Sequence, residues 1–263
     1  MQATPGAAMS RTPDFVAPFR SIGAFFAFAL DAITLMPRRP FAWREFLLQT
    51  WFVTRVSIAP AVMLAIPFTV LGVFILNILL LEIGAGDLSG SGAALGTVTQ
   101  IGPVVTVLVV AGAGATSMCA DLGARTIREE LDALRVIGIN PIQSLVAPRV
   151  LASTLVSLLL SGLVMITGLV GGFAFSVWLQ HVSPGAFISG LTLLTGAPEL
   201  VIAYIKAGLF GFFASLIACF KGITVGGGPA GVGNAVNQTV VFAFMALLVI
   251  DVIVTAVGVK ATL

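Results

Sequence analysis

Charged side chains are scarce in this sequence. Only 9% of its 263 residues are Asp, Glu, Lys or Arg, against roughly 25% in an ordinary soluble domain. So few charges cannot cover the surface of a globule in water, and hydrophobic residues, which make up 58% of the chain, occur in long blocks. This composition excludes a disordered chain, a soluble enzyme and a collagen-like repeat. It predicts a polytopic membrane protein.

Residues of the types that catalyse reactions or bind metals are also rare. One histidine and two cysteines, Cys119 and Cys219, give no zinc site of the usual four-ligand kind, and we expect both thiols to be buried and inert. No catalytic triad, carboxylate cluster with metal-ligand spacing or P-loop occurs in the sequence. A net charge of +2 without dense basic clusters beyond the first sixty residues gives no support for nucleic-acid binding. We therefore expect no catalytic, cofactor or metal site, and no ATP binding through a P-loop.

Five apolar blocks are long enough to cross the hydrocarbon core as helices, which takes about 20 residues each. They run approximately from Val56 to Leu81, Val98 to Met118, Val150 to Leu179, Leu200 to Phe220, and Thr239 to Val259. Pro60 and Pro67 in the first block and Pro103 in the second predict kinks. The fold class expected is an all-α membrane protein with five transmembrane helices.

The segments before the first block are too polar or too short to cross. Residues 15–31 mix apolar side chains with Arg20 and Asp31, and Phe41 to Thr54 combines aromatic and charged residues suited to the headgroup region. We predict two helices that lie along the membrane, and hence a tail with interfacial helices over 1–54 and a five-helix transmembrane domain over 55–263. A cleaved signal peptide is the alternative, but residues 22–36 are followed by Arg-Arg rather than by a small-residue cleavage site.

The basic residues fall almost entirely on one side of the five blocks. Eleven of the thirteen share that side: Arg11, Arg20, Arg38, Arg39, Arg44, Arg55, Arg125, Arg128, Arg135, Arg149 and Lys221. The opposite loops, 82–97 and 180–199, contain neither Lys nor Arg. We expect a multi-pass protein of the plasma (inner) membrane. The positive-inside rule predicts its orientation, with a cytoplasmic N-terminus and the C-terminus outside.

The longest polar interruption, Asp121 to Arg149, is predicted to face the cytoplasm and to contain an amphipathic helix over about 121–141. Asp121 is expected to cap the helix, and Gly138 with Pro141 to end it. The i,i+4 spacing predicts Arg125–Glu129 and Arg128–Asp132 ion pairs, and Ile127, Leu131 and Leu134 form an apolar stripe. An apolar stripe on the water side favours a docking element, while a solvated connector remains an equally supported alternative.

Several motifs resemble the MlaE/YrbE permease family, in particular members from actinobacterial Mce systems. They are Ala120-Asp121-Leu122-Gly123, Glu130-Leu131-Asp132-Ala133-Leu134, Gly138-Ile139-Asn140-Pro141, Leu145-Val146-Ala147-Pro148-Arg149, and the block from Gly226 to Ala235 followed by Thr239-Val240-Val241. One departure is Asp121, where the family more often has Glu, and the charge is kept.

The resemblance implies a permease subunit of an ABC-type lipid transporter. Its implied partners are an identical or paralogous permease subunit, a cytoplasmic ABC ATPase and Mce-domain proteins on the outer face. The amphipathic helix is then a coupling helix, in which acidic residues meet a basic ATPase surface and Leu131 and Leu134 fill a groove. The residues expected to couple to the ATPase are Arg125, Arg128, Glu129, Glu130, Leu131, Asp132 and Leu134.

Two further sites are predicted inside the membrane. Lys206 and Asp251 lie at similar depths in the fourth and fifth blocks, and pairing them is the least costly way to bury both charges. The outer ends of the first, second and fifth blocks are expected to line a lipid pathway, with the residues Leu76, Leu79, Val98, Pro103 and Val254. Intramembrane charges also keep an ion-coupled secondary transporter open as an alternative, and a lipid-modifying enzyme is a weaker one.

Overall fold

The structure is a computed structural model that describes residues 17–38, 40–85, 88–193 and 195–262. Within these ranges every regular element is a helix, which confirms the all-α fold class. Five segments are long and apolar enough to cross a membrane, as predicted: Trp43–Leu80, Ser89–Ile127, Ile142–Trp178, Ala197–Ile223 and Gly228–Gly258. Arg11, Arg39 and the start of the first predicted interfacial helix lie outside the described residues.

Ten α-helices and three π-helical segments make up the described chain. The α-helices are α1 (Ala17–Leu35), α2 (Trp43–Glu82), α3 (Ser89–Gly96), α4 (Gly102–Val109), α5 (Thr116–Ile127), α6 (Glu130–Val136), α7 (Ala147–Trp178), α8 (Pro184–Gly190), α9 (Ala197–Ile223) and α10 (Gly228–Thr262). The π-helical segments are Thr97–Ile101, Val110–Ala115 and Ile142–Val146. The first two join α3, α4 and α5 into the second span.

The first span is longer than its apolar block. The prediction of a separate interfacial helix over Phe41 to Thr54 is wrong, because Trp43 to Glu82 form one continuous helix. No glycine or proline occurs between Phe41 and Ala59, so nothing in the backbone interrupts the helix at residue 54. At 1.5 Å per residue α2 is about 60 Å long, twice the ~30 Å of the hydrocarbon core. Its first turns therefore extend beyond that core or lie along its edge.

The second, third and fourth spans form the core of the molecule, and the first and fifth lie outside it. In the most apolar stretch of each span, 61% of the second is buried, against 22% of the first and 11% of the fifth. Helix α7 packs against α2 and α9, while α10 packs against α9 and α5. Two exposed apolar helix faces, on α2 and α10, are therefore left for lipid or for another protein chain.

Small residues let the α2 and α7 backbones approach closely. A Cβ atom added at Gly168 would lie 2.5 Å from Thr69 Oγ1, and one at Gly172 would lie 3.2 Å from Val73 Cγ2. Because these glycines are four residues apart, they occupy the same face of α7. Larger side chains at either position would push α2 away from α7.

Candidate functional site

The connection between the second and third spans turns sharply at Glu129. This residue has a φ of +60°, in the left-handed region, and the chain restarts as α6 at Glu130 before Gly138, with a φ of +82°, ends the segment. The predicted single helix from Asp121 is therefore wrong. Asp121 does not cap a helix, because it lies inside α5, which continues to Ile127. The polar segment is the end of one helix followed by a short second helix.

The break at Glu129 also changes the ion pairs. The predicted Arg125–Glu129 and Arg128–Asp132 pairs are not among those of the described residues. Instead, Arg128 Nε lies 2.8 Å from Glu130 Oε1, and Arg135 Nη1 lies 2.8 Å from Asp132 Oδ1. Side chains four positions apart share a face only along a continuous helix, and the turn interrupts that helix.

The apolar stripe of the connection turns towards the protein itself. Leu131 is only 3% exposed and belongs to the core of the chain, and Leu134 is half-buried against that core. Leu131 is therefore not free to fill a groove on a partner, which corrects its predicted role. Ile127, the third residue of the stripe, is 36% exposed. The most exposed apolar side chains of the connection are Val136, 86% exposed, Ile137, 68% exposed, and Ile139. These three, at the end of α6 and beyond it, form the exposed apolar tip of the connection.

A buried arginine ties this connection to the transmembrane helices. The side chain of Arg149 is fully buried, and its Nη2 lies 2.7 Å from Asp121 Oδ2 and 3.0 Å from Glu45 Oε1. It also donates a hydrogen bond to the carbonyl oxygen of Leu145. This Arg149 triad joins α7 to α5 and α2. A buried cation with two carboxylates is sensitive to loss of a partner, because the remaining charge stays in a medium that solvates it poorly.

The sequence alone does not predict this triad. There Arg149 stands among the basic residues and ends one of the family motifs, and Asp121 is expected to cap a helix. Glu45 stands 104 residues before Arg149 in the chain, so no spacing rule connects them. The available signal was the position of Arg149 at the start of a long apolar block, where a charge needs a partner.

The structure brings Lys206 and Asp251 together inside the membrane. Lys206 Nζ lies 2.9 Å from Asp251 Oδ1, with the lysine side chain 2% and the aspartate side chain 17% exposed. The distance is that of a close ion pair, although its angle is outside the range of a hydrogen bond. Lys206 also donates to the carbonyl oxygen of Thr99 at 3.4 Å. The lysine thus links α9 to α10 and to the first π-helical segment of the second span.

The five residues predicted to line a lipid pathway differ in how exposed they are. Leu79 is 57% exposed, and Leu76 and Val254 are half-buried. Val98 is 4% exposed and packs with other core residues, and Pro103 is also buried. The chain by itself therefore does not present the five residues on one open surface. The two buried residues belong to the second span, which the other spans cover.

A comparison with known protein families shows which family the chain belongs to. A family model described as the MlaE permease matches residues 46–257, which is most of the chain and reaches from the first turn of the first span almost to the end of the fifth. The chain belongs to the MlaE permease family. As a family member it is a multi-pass membrane permease, not an enzyme, and the ATPase activity of such a system resides in a separate subunit. The predicted resemblance to the MlaE/YrbE permease family is confirmed, and the placement among actinobacterial Mce systems stays a prediction.

Three named relatives of this chain come from Rickettsia bellii, Synechocystis and Haemophilus influenzae. A probable ABC transporter permease protein of Rickettsia bellii is 28% identical over 90% of this chain and 91% of its own length. One from Synechocystis is 31% identical over 63% of each chain. The intermembrane phospholipid transport system permease protein MlaE of Haemophilus influenzae is 29% identical over 68% of this chain and 69% of its own. The matched region thus spans less than two thirds of the Synechocystis relative.

Proposed function

We propose that this MlaE-family permease forms the membrane part of an ABC system that moves lipids. The observation that carries the proposal is the family match over all five spans, together with relatives named as ABC transporter and phospholipid transport permeases. The composition agrees with a lipid substrate, because α2 after Arg55 and α10 after Gln238 expose many large apolar side chains. An ion-coupled carrier would need a relay of polar groups across the membrane. Lys206 and Asp251 supply a single pair.

The permease is proposed to work as a dimer with an identical or paralogous subunit. In support, α2 and α10 carry large apolar side chains that no other part of the described chain covers, including Leu71, Leu79, Met245 and Val249. The lipid pathway would then lie between two subunits, which explains why a single chain does not assemble it. The bias of basic residues supports a cytoplasmic N-terminus. Mce-domain proteins would meet the opposite face.

The exposed apolar tip of the connection is the proposed docking element for the ATPase. The large apolar side chains of Val136, Ile137 and Ile139 are exposed, so burying them requires a partner. Glu129, Glu130 and Asp132 lie beside them and would set the register against a basic surface, whereas the apolar anchors would supply more of the affinity. The Arg149 triad and the buried Leu131 would hold α6 in place as the ATPase moves.

Purification from the native membrane tests the proposal. A tagged, full-length permease is expected to bring with it an ABC ATPase, a second permease chain and phospholipid, identified by mass spectrometry. Recovery of the permease without any ATPase, under conditions that keep its own fold intact, would contradict the assignment.

Two variants test the docking element. Val136→Ser with Ile137→Ser is expected to reduce ATPase recovery about tenfold or more, since truncating a central apolar anchor commonly costs ~2 kcal/mol of binding. The matched control is Val257→Ser, an exposed valine in the last turns of α10. Normal ATPase stoichiometry in the double variant would reject the tip as the docking element.

A further inference from the structure

A groove between α1, α9 and α10 is not used by the proposed transport mechanism. Its volume is about 670 Å³, within the range of small-molecule sites in proteins. Helix α1 forms one wall with Ile22 and Phe25, and Phe25 packs edge-on against Phe220 of α9 at 5.5 Å between ring centroids. The opposite wall is α10. The groove therefore depends on the N-terminal helix being packed against the fourth span.

The groove has one polar end and one apolar end. Lys221, Asn237 and Gln238 lie at the level where α9 ends and α10 begins its apolar stretch. From Gln238 the wall continues along α10 through Val241 and Phe242 to Ala246. Eight residues of helix correspond to about 12 Å. The groove thus has a cationic end at the membrane surface and an apolar channel beyond it. This arrangement matches the shape and polarity of an anionic lipid.

Lys221 is the residue of the groove whose charge bears on the choice of ligand. Its Nζ donates to Gln238 Oε1 at 2.9 Å and lies 4.5 Å from the centre of the Phe242 ring. Among the described residues no carboxylate is within ion-pair distance of Lys221, whereas Lys206 has one and Arg149 has two. A lysine ammonium has three N–H donors, so further acceptors can bind beside Gln238. The unmatched cation calls for an anionic group.

We propose that this groove binds an anionic phospholipid of the surrounding leaflet, with the phosphate at Lys221 and Gln238 and an acyl chain along Val241, Phe242 and Ala246. On the proposed orientation this leaflet is cytoplasmic, where anionic lipids and basic protein pockets meet. The lipid would fill the space between α1 and the membrane helices. It is distinct from the proposed lipid pathway, because Val254 of that pathway lies sixteen residues beyond Gln238 on α10, which corresponds to about 24 Å.

Lipid retention by the full-length chain tests the proposal. The protein is reconstituted in vesicles of equal parts phosphatidylglycerol and phosphatidylcholine, re-extracted in mild detergent, and its bound lipids are counted by native mass spectrometry. Wild-type protein is expected to retain phosphatidylglycerol preferentially. Lys221→Gln should reduce that preference about fivefold, equivalent to ~1 kcal/mol for one basic residue at a membrane surface. Lys221→Arg should preserve it.

Matched controls separate the groove from general effects of charge and size. Lys260→Gln removes a lysine from the last turn of α10 and should leave retention unchanged. Ala246→Phe should fill the apolar end and lower retention, whereas Val170→Phe, at an exposed position of α7 outside the groove, should not. Equal phosphatidylglycerol retention in wild type, Lys221→Gln and Ala246→Phe would overturn the proposal. A shift between monomer and dimer in these variants, with lipid retention unchanged, would equally overturn it and mark a protein interface.

Discussion

Removing one charge of the Lys206–Asp251 pair should destabilise the permease strongly. In Asp251→Asn the ammonium of Lys206, 2% exposed, loses the carboxylate 2.9 Å away and keeps only the Thr99 carbonyl oxygen. An unpaired charge at the centre of a bilayer costs at least ~2.5 to 3.5 kcal/mol, and breaking a buried pair costs about 3 to 5 kcal/mol. Because the total stability of a protein is about 5 to 15 kcal/mol, a large fraction of it would be lost.

The assay is the amount of folded permease in the membrane together with its thermal unfolding in detergent. Asp251→Asn and Lys206→Met are each expected to accumulate poorly and to unfold at a lower temperature. The control Lys260→Met removes a lysine from the end of α10 and should behave as wild type. Replacing both charges, with Lys206→Met and Asp251→Leu, should restore much of the protein level, since an apolar pair needs no counter-ion.

The charge swap, Lys206→Asp with Asp251→Lys, should recover stability only in part. The new carboxylate would face the Thr99 carbonyl oxygen, which is an acceptor and suits a cation. Wild-type accumulation and unfolding temperature in both single variants would refute the pairing argument. If the apolar pair restores protein level and not lipid transport, the two charges act in transport as well as in folding.

Three further outcomes follow from the structure. Arg149→Met should lower the unfolding temperature and the membrane level, because Asp121 and Glu45 would then repel each other without a cation, as measured by thermal unfolding of the purified protein. Leu131→Ser should destabilise the permease by about 2 to 4 kcal/mol, a core effect visible without any ATPase present. A cysteine at the exposed Leu79 should crosslink to a photoactivatable lipid in cells, while one at the buried Val98 should not; the reverse pattern would contradict the packing of the second span.

The spans were predictable because hydropathy is a local property. A block of about 20 apolar residues crosses a membrane whatever the rest of the chain does, so all five emerged from the sequence. The ends of helices were less predictable. Arg44, Glu45 and Arg55 suggested a boundary before the first span, yet α2 runs through them because no residue there breaks a helix.

Contacts between distant segments account for what the sequence did not reveal. The turn at Glu129 has no glycine to mark it, and the burial of Leu131 in the core decides where α6 points. The Arg149 triad likewise joins residues from three helices. Depth in the membrane was enough to suggest that Lys206 and Asp251 meet, because both helices cross the same slab and each charge needs a partner at its own level.

ATP-dependent lipid movement measures the central claim most directly. The permease, reconstituted in proteoliposomes with the ATPase and the second permease chain that co-purify with it, is assayed for transfer of a fluorescent phospholipid out of the bilayer to an acceptor. We predict transfer that requires ATP and that falls with Val136→Ser and Ile137→Ser in proportion to the ATPase lost. Transfer that is equally fast without ATP, or no transfer while the bound ATPase hydrolyses ATP, would contradict a lipid permease driven by an ABC ATPase.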